Sequence, residues 1–296
     1  MSSAEDVLDL LPCSERSEAL GEDMAGTAPE ERAVLVVEQP GPWGRDAVSE
    51  SGLRPIADAL SAHAKAAGVR IQVVRRVTRR YVVARPSAWL AGFEPGGRFL
   101  ERFDCADLRD LLELPLGPRP TGAGTLQDKP LLLCCTHSTR DSCCARRGLP
   151  LQRALMGAGA ETWHASHLGG HRFAATMAAL PLGLWLGRVP VEAAGEVVGL
   201  LRAGRMPLEH LRGRAGLPAA VQAAEVAVRR HAGLDHIDDL AVRAFGGERV
   251  TFAARDGRAF AADVRCVPTG HVRAVSCGAD AKREDPKRFE VVLAPV

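Results

Sequence analysis

Short apolar runs and longer amphipathic stretches alternate along most of this chain. Residues 33–38, AVLVVE, are almost uninterruptedly apolar and close on QPGPWG, the pattern of a buried strand and a turn set by proline and glycine. A helical period follows over residues 46–66 and ends near Gly68. Strand-like IQVVRR (71–76) and YVVARP (81–86) come next, so the order predicted is β-α-β-β. Residues 115–130, PLGPRPTGAGTLQDKP, concentrate proline, glycine and threonine and read as a linker at a domain boundary. Beyond it PLLLCC (130–135) opens a second buried strand, and GLPLQRALMGAG (148–159) reads as a helix closed by glycine. ETWHAS (161–166) and GLWLGRV (183–189) predict strands, FAATMAAL (173–180) and VEAAGEVVGLLRAG (191–204) helices. Residues 206–232 continue as helices, and ERVTFAA and RFEVVL carry strand patterns in the tail from His236 onward. This alternation is that of an α/β protein. The strand-then-loop pattern of residues 33–45 recurs over 130–144, which points to two related halves.

Composition narrows the function classes. At 296 residues, 46% hydrophobic and 25% charged, the chain can bury a sizeable core and is neither disordered nor a small disulfide-stapled scaffold. Thirty-eight basic against 36 acidic residues give a charge of +2, so no overall field recommends nucleic acid or an anionic membrane as partner. The N-terminal MSSAEDVLDLLP lacks the basic segment and apolar run of a signal peptide, and Met177–Gly187 is too short to span a bilayer. A cytoplasmic location is expected. Eight cysteines in such a chain fit reduced thiols, metal ligands or redox chemistry better than a disulfide framework.

Their placement is informative. Cys134-Cys135 and Cys143-Cys144 form two doublets, and His167-Leu-Gly-Gly-His171 follows. Eight residues separate Cys134 from Cys143 and likewise Cys135 from Cys144, so spacing alone leaves the register open. Bridging within a doublet would be strained, because adjacent Cα atoms lie about 3.8 Å apart and disulfides prefer roughly 4.4–6.8 Å. One liganding and one structural thiol per doublet is the expected division. Gly169 and Gly170 favour a loop between the histidines, letting backbone approach a bulky cofactor, and HRFAATMAAL predicts a helix starting near His171 whose N-terminus favours negative charge. Two thiols and two imidazoles suit either tetrahedral zinc or an iron-sulfur cluster. The gap between the cysteines exceeds the two to four residues usual in zinc knuckles, which favours something larger than one ion.

CTHSTRDSCCA, WHASHLGGHRFA, LPLGLWLGRV and VVEQPGPWG together resemble the sucrase/ferredoxin-like family, whose members include bis-histidinyl 2Fe-2S proteins with a thioredoxin-like ferredoxin domain. The resemblance implies a cluster held by Cys135, Cys144, His167 and His171, with the two cysteines on one iron and the two histidines on the other. It implies an N-terminal α/β domain over 1–120, itself a related thioredoxin-like half, a thioredoxin-like ferredoxin domain over 126–205, and a helical and β extension over 206–296 packed on it. The function implied is one-electron transfer with an unidentified redox partner protein. Ser138 stands where relatives commonly have glycine, which removes no ligand, and some relatives lack the second histidine, present here as His171. No pair of carboxylates for glycoside hydrolysis is identifiable, so the sucrase in the family name finds no support. Exchanging two thiolates for imidazoles makes the oxidised centre less negative and lifts its potential from about −400 mV toward about −150 to +300 mV. Proton loss from the imidazoles makes that potential fall with pH, by up to about 59 mV per unit. The alternatives are a structural or regulatory zinc protein and a thiol-disulfide oxidoreductase using Cys143 or Cys144.

Other residues have two readings each. His137, Arg140 and Asp141 either tune the site by hydrogen bonds or form an Arg-Asp pair beside a solvent-facing histidine. His164 reads as an ordinary strand side chain. Arg172 either offsets charge at the centre or makes a surface salt bridge, and Trp163 and Trp185 read as core. Cys266 and Cys277 fall on predicted strands as buried thiols, with a second redox pair as the alternative, and Cys13 and Cys105 stand alone.

Overall fold

The computed structural model describes residues 8, 10–76, 86–94, 96–278 and 282–295. After a short helix α1 (Cys13–Ala19), the run at 33–38 becomes β1 (Ala33–Glu38), with all six residues buried. Coverage on both faces explains why its sequence lacks apolar-polar alternation. Each Val or Leu so buried contributes about 1.5–3 kcal/mol. Helix α2 (Ala57–Ala66), entered through a 3-10 turn at Arg54–Ile56, leads to β2 (Val69–Arg75), parallel to β1. On its other edge β1 pairs antiparallel with β3 (Ser87–Gly92), β3 with β4 (Phe99–Asp104), and β4 with the short β5 (Thr125–Leu126). The strand expected at YVVARP falls, apart from Pro86, outside the described residues.

The same plan then repeats. β6 (Leu131–Cys135) leads through helix α3 (Ser142–Gly157) to β7 (Thr162–Ala165), parallel to it. On its other edge β6 pairs antiparallel with β8 (Met177–Leu180), β8 with β9 (Leu184–Leu186), and β9 with β10 (Leu211–Arg214). β2 and β7 meet antiparallel, with Val74 opposite Ala165, so both halves contribute to one ten-stranded sheet in the order β10-β9-β8-β6-β7-β2-β1-β3-β4-β5. The turn after β1 thus occupies the place in its half that the loop after β6 occupies in the other.

Helix α4 (Ala194–Arg202) covers the second half, and α5 (Ala219–Ala232) lies between the large sheet and a four-stranded antiparallel one. That sheet comprises β11 (Leu240–Gly246), β12 (Arg249–Ala254), β13 (Ala259–Pro268) and, after the small ribbon β14 (Arg273–Ala274) and β15 (Arg283–Glu284), β16 (Lys287–Ala294). Val221, Ala224 and Val228 of α5 pack on Phe252 and Val264, while Ala223 and Val226 face the β8–β10 side. Buried Glu225 binds Arg214 of β10 and Arg229 at 2.8 Å each, so the charges desolvated there are paired.

Three expected helices differ. FAATMAAL forms a 3-10 turn at its start and then β8, whose four residues are buried between β6 and β9. Ala, Met and Leu favour helix intrinsically, but an element paired on both edges and covered on both faces follows its tertiary setting. The stretch 206–218 contains β10, in which both arginines of LRGR are buried, Arg214 paired with Glu225 and Arg212 bonded to Thr27 and the Gly169 carbonyl. Helix α3 begins six residues before the expected 148, because Asp141 caps it.

Candidate metal centre

β6 and β7 run parallel with Cys135 opposite Ala165, so their carboxyl ends emerge side by side and the loops leaving them converge. Cys135 ends β6. Asp141 Oδ1 accepts the Cys143 N–H at 2.9 Å, which places Cys143 and Cys144 in the first turn of α3. β7 leads into His167, the Gly169–Gly170 pair and the 3-10 turn at His171–Phe173. The donor atoms of Cys135, Cys144 and His167 all lie within 4.8 Å of one another, with Cys144 Sγ 3.8 Å from His167 Nδ1. His171 is outside that trio but stacks on His167, ring centroids 5.1 Å apart and planes 29° apart. Its Nε2 lies 2.7 Å from the Val275 carbonyl, while its Nδ1 is buried without a partner. A nitrogen facing a carbonyl must donate, so Nε2 carries the proton and Nδ1 offers a free lone pair.

Hydrogen bonding from Cys144 holds the buried Cys135 thiol well below its ordinary pKa, against the effect of burial and with help from His167. Donating that proton, together with burial, pushes Cys144 up. The hydrogen bond thus favours the thiolate form of Cys135 over that of Cys144. Burial lowers the pKa of His171 and favours its neutral, ligating form, although Asp141 opposes this. Soft sulfur and borderline nitrogen donors of this kind hold a transition metal.

Cys134 points to the opposite face of β6, its Sγ 3.3 Å from the Gly148 carbonyl, and burial pushes its thiol up. Helix α3 packs so closely there that a Cβ on Gly148 would come within 2.0 Å of the Cys135 carbonyl oxygen. The first doublet thus divides between site and core.

The supports come from both halves of the sheet. His137 is buried; its Nδ1 accepts the His167 N–H at 3.2 Å and its Nε2 donates to the Gly44 carbonyl at 2.7 Å. Trp43 meets the same ring edge-on at 5.7 Å, and Thr139 donates to Gly44 at 2.9 Å. QPGPWG thereby braces the loop between β6 and α3, and His137 is not solvent-facing. Trp185, fully buried, donates to the Leu168 carbonyl at 3.2 Å. Beneath the glycine pair, buried Arg212 donates to the Gly169 carbonyl at 3.0 Å, its pKa lowered by burial to about 9. Gly170 has φ +66°, and a Cβ there would lie 2.8 Å from that guanidinium. Arg172 pairs with buried Glu22 at 2.6 Å, and Glu22 also holds Arg273, which supports the salt-bridge reading of Arg172. His164 is buried and meets Thr136 Oγ1 at 3.1 Å.

A second group adjoins the first. Cys13, Cys143, Cys277 and Asp141 also place one donor atom each within 4.8 Å of one another. Cys143, the other thiol of its doublet, is therefore no mere core filler, and neither Cys13 nor Cys277 stands alone. Cys277 sits in a bend between β14 and β15, whereas Cys266 is exposed on β13, so the two form no pair. Cys143 Sγ accepts from Cys13 Sγ at 3.6 Å and from Ser14 Oγ at 3.3 Å; these bonds, the first foremost, bring the Cys143 thiol down to about 5 against burial. Sequence reasoning missed Arg212, because an Arg-x-Arg alternation signals a strand with one inward face and was read within a helix. It missed the Cys13–Cys143–Cys277 convergence because no local spacing carries it.

The sequence profile of the sucrase/ferredoxin-like family matches residues 24–213. No curated protein matches the chain. A structure described as a thioredoxin-like 2Fe-2S ferredoxin from Aquifex aeolicus is 15% identical, with a TM-score of 0.28, covering 31% of this chain and 97% of that one.

Proposed function

The chain belongs to the sucrase/ferredoxin-like family, and from that premise we propose that it is a one-electron carrier whose 2Fe-2S cluster is held by Cys135, Cys144, His167 and His171. The observation that carries this reading is His171, whose Nε2–H is fixed on the Val275 carbonyl and whose Nδ1 is buried with nothing to bind. Ligating histidines characteristically donate their other ring nitrogen to a carbonyl or carboxylate, and an orphaned buried acceptor is otherwise destabilising. The donor set therefore fits the group. When bound, such a cluster supplies a centre that takes up and returns a single electron. Cys135 enters as thiolate, Cys144 releases its proton on binding, and Arg212 sets a buried positive charge beneath the site. Two imidazoles in place of two thiolates remove two negative charges, which favours adding an electron. In this reading residues 126–205 are a ferredoxin unit of thioredoxin-like type, exchanging electrons with a redox protein in the cytoplasm. No helix among the described residues is long and apolar enough to cross a membrane.

Iron and acid-labile sulfide analysis of the purified chain tests this: about two of each per chain are expected. A second reading rests on the trio of Cys135, Cys144 and His167, whose donors lie close enough to close on a single tetrahedral ion. Colourless, iron-free protein that loses zinc on Cys135→Ala substitution would favour that ion.

A further inference from the structure

We propose that Cys13, Cys143, Cys277 and Asp141 form a second, independent metal site that takes zinc and fastens both ends of the chain over the His167–His171 turn. It stands whether or not the neighbouring four residues hold a cluster. The three sulfurs come from parts of the chain with no local reason to meet: the start of α1, the first turn of α3, and the bend after β14. Cys13 Sγ is 3.6 Å from Cys143 Sγ, Cys143 Sγ is 3.4 Å from Cys277 Sγ, and Cys13 Sγ is 3.6 Å from Asp141 Oδ1. A tetrahedral zinc with Zn–S of about 2.3 Å and Zn–O of about 2.0 Å sets sulfur-sulfur edges near 3.8 Å and sulfur-oxygen edges near 3.5 Å. The observed separations approach those edges.

The surroundings suit bound anionic ligands better than free thiols. Ser14 Oγ donates to Cys143 Sγ at 3.3 Å, and the Cys13 N–H donates to Cys277 Sγ at 3.3 Å. Asp141 is held by the N–H groups of Cys143 at 2.9 Å and Cys277 at 2.8 Å, each of which leaves lone pairs of the carboxylate available. These contacts orient the donors as outer hydrogen bonds orient metal ligands. A disulfide would join only two of the three sulfurs and strand the third beside a buried carboxylate. Zinc satisfies all four donors and withdraws part of their negative charge. Three thiolates select a soft or borderline ion, and zinc accepts the tetrahedron without redox chemistry.

The consequence reaches the first site. Cys277 lies two residues beyond Val275, whose carbonyl holds His171 Nε2, so an ion on Cys277 anchors that carbonyl.

Metal analysis of the full chain, purified with its iron, should show about one zinc beyond the iron. Zinc-edge X-ray absorption should show three sulfurs at about 2.3 Å and one oxygen at about 2.0 Å. Cys13→Ala and Cys277→Ala should each lose the zinc while iron stays on the chain, whereas Cys135→Ala should lose the iron and keep the zinc. Cobalt(II) in its place should give intense thiolate charge-transfer bands that both substitutions abolish. Zinc-free protein whose three thiols all react with a thiol reagent, or a disulfide between two of them by mass spectrometry, would overturn the proposal. So would zinc with an imidazole ligand that survives Cys277→Ala but not Cys135→Ala, which places the ion at the other site.

Discussion

Replacing His171 by alanine removes a ring stacked on His167 whose Nδ1 is buried without a partner, whereas replacing His164 removes a ring committed to Thr136. We expect His171→Ala to shift or abolish the visible spectrum of the purified protein and His164→Gln to leave it unchanged; the reverse pattern would reassign the ligand. His164 has a different use as a reporter of stability. Burial, with Arg75 and Arg153 adding repulsion, lowers its pKa to about 4, against about 6.5 in the unfolded chain. The unfolded state therefore takes up this proton first as pH falls. The stability linked to His164 is intact above about pH 6.5, is lost progressively down to about pH 4, and amounts to at most about 3 kcal/mol. In urea melts, the deficit of His164→Gln relative to the parent should shrink between pH 7 and pH 5. A deficit that stays constant would mean that the ring titrates normally in the fold.

Among the elements, the contact of α3 with β6 and the turn after β7 set the spacing of the donors. Gly148 lies against the Cys135 carbonyl, so Gly148→Ala must push the helix, and Cys144 with it, away from the strand. Overpacking of this kind costs about 1–3 kcal/mol. Gly170→Ala meets both a left-handed backbone, about 1–2 kcal/mol, and the Arg212 guanidinium. Both variants should lose metal content along with stability in denaturant melts, whereas Gly157→Ala, with open space at its Cβ, should lose neither. Retention of full metal content in Gly148→Ala would show that the donors do not depend on that contact. Such contacts were invisible in sequence, where Gly148 read only as the start of a helix that in fact begins at Ser142. Strands buried on both faces were legible when β-branched, as in AVLVVE, and misread when built of alanine and methionine, as in MAAL.

At the scale of the whole molecule, the strand-loop recurrence at residues 33–45 and 130–144 corresponds to two halves of like topology sharing one sheet. Sequence pattern conveyed the recurrence but not its use: the turn after β1 reaches across to hold His137, and through it the His167 backbone. The approach of Cys135, Cys144 and His167, with His171 stacked on His167, was legible because all four fall within the β6–α3–β7 unit and the turn that leaves it. Arg212 and the meeting of Cys13 with Cys277 were not, since they depend on how distant segments pack. The central claim is that two thiols and two imidazoles share one electron-carrying centre. Electron paramagnetic resonance of the dithionite-reduced full chain, with nitrogen couplings resolved, tests it most directly. We predict a single-electron signal with an average g value below that of an all-thiolate cluster and couplings to two imidazole nitrogens, one of which His171→Ala removes. A spectrum with no signal, or a signal with no nitrogen coupling, would contradict the account.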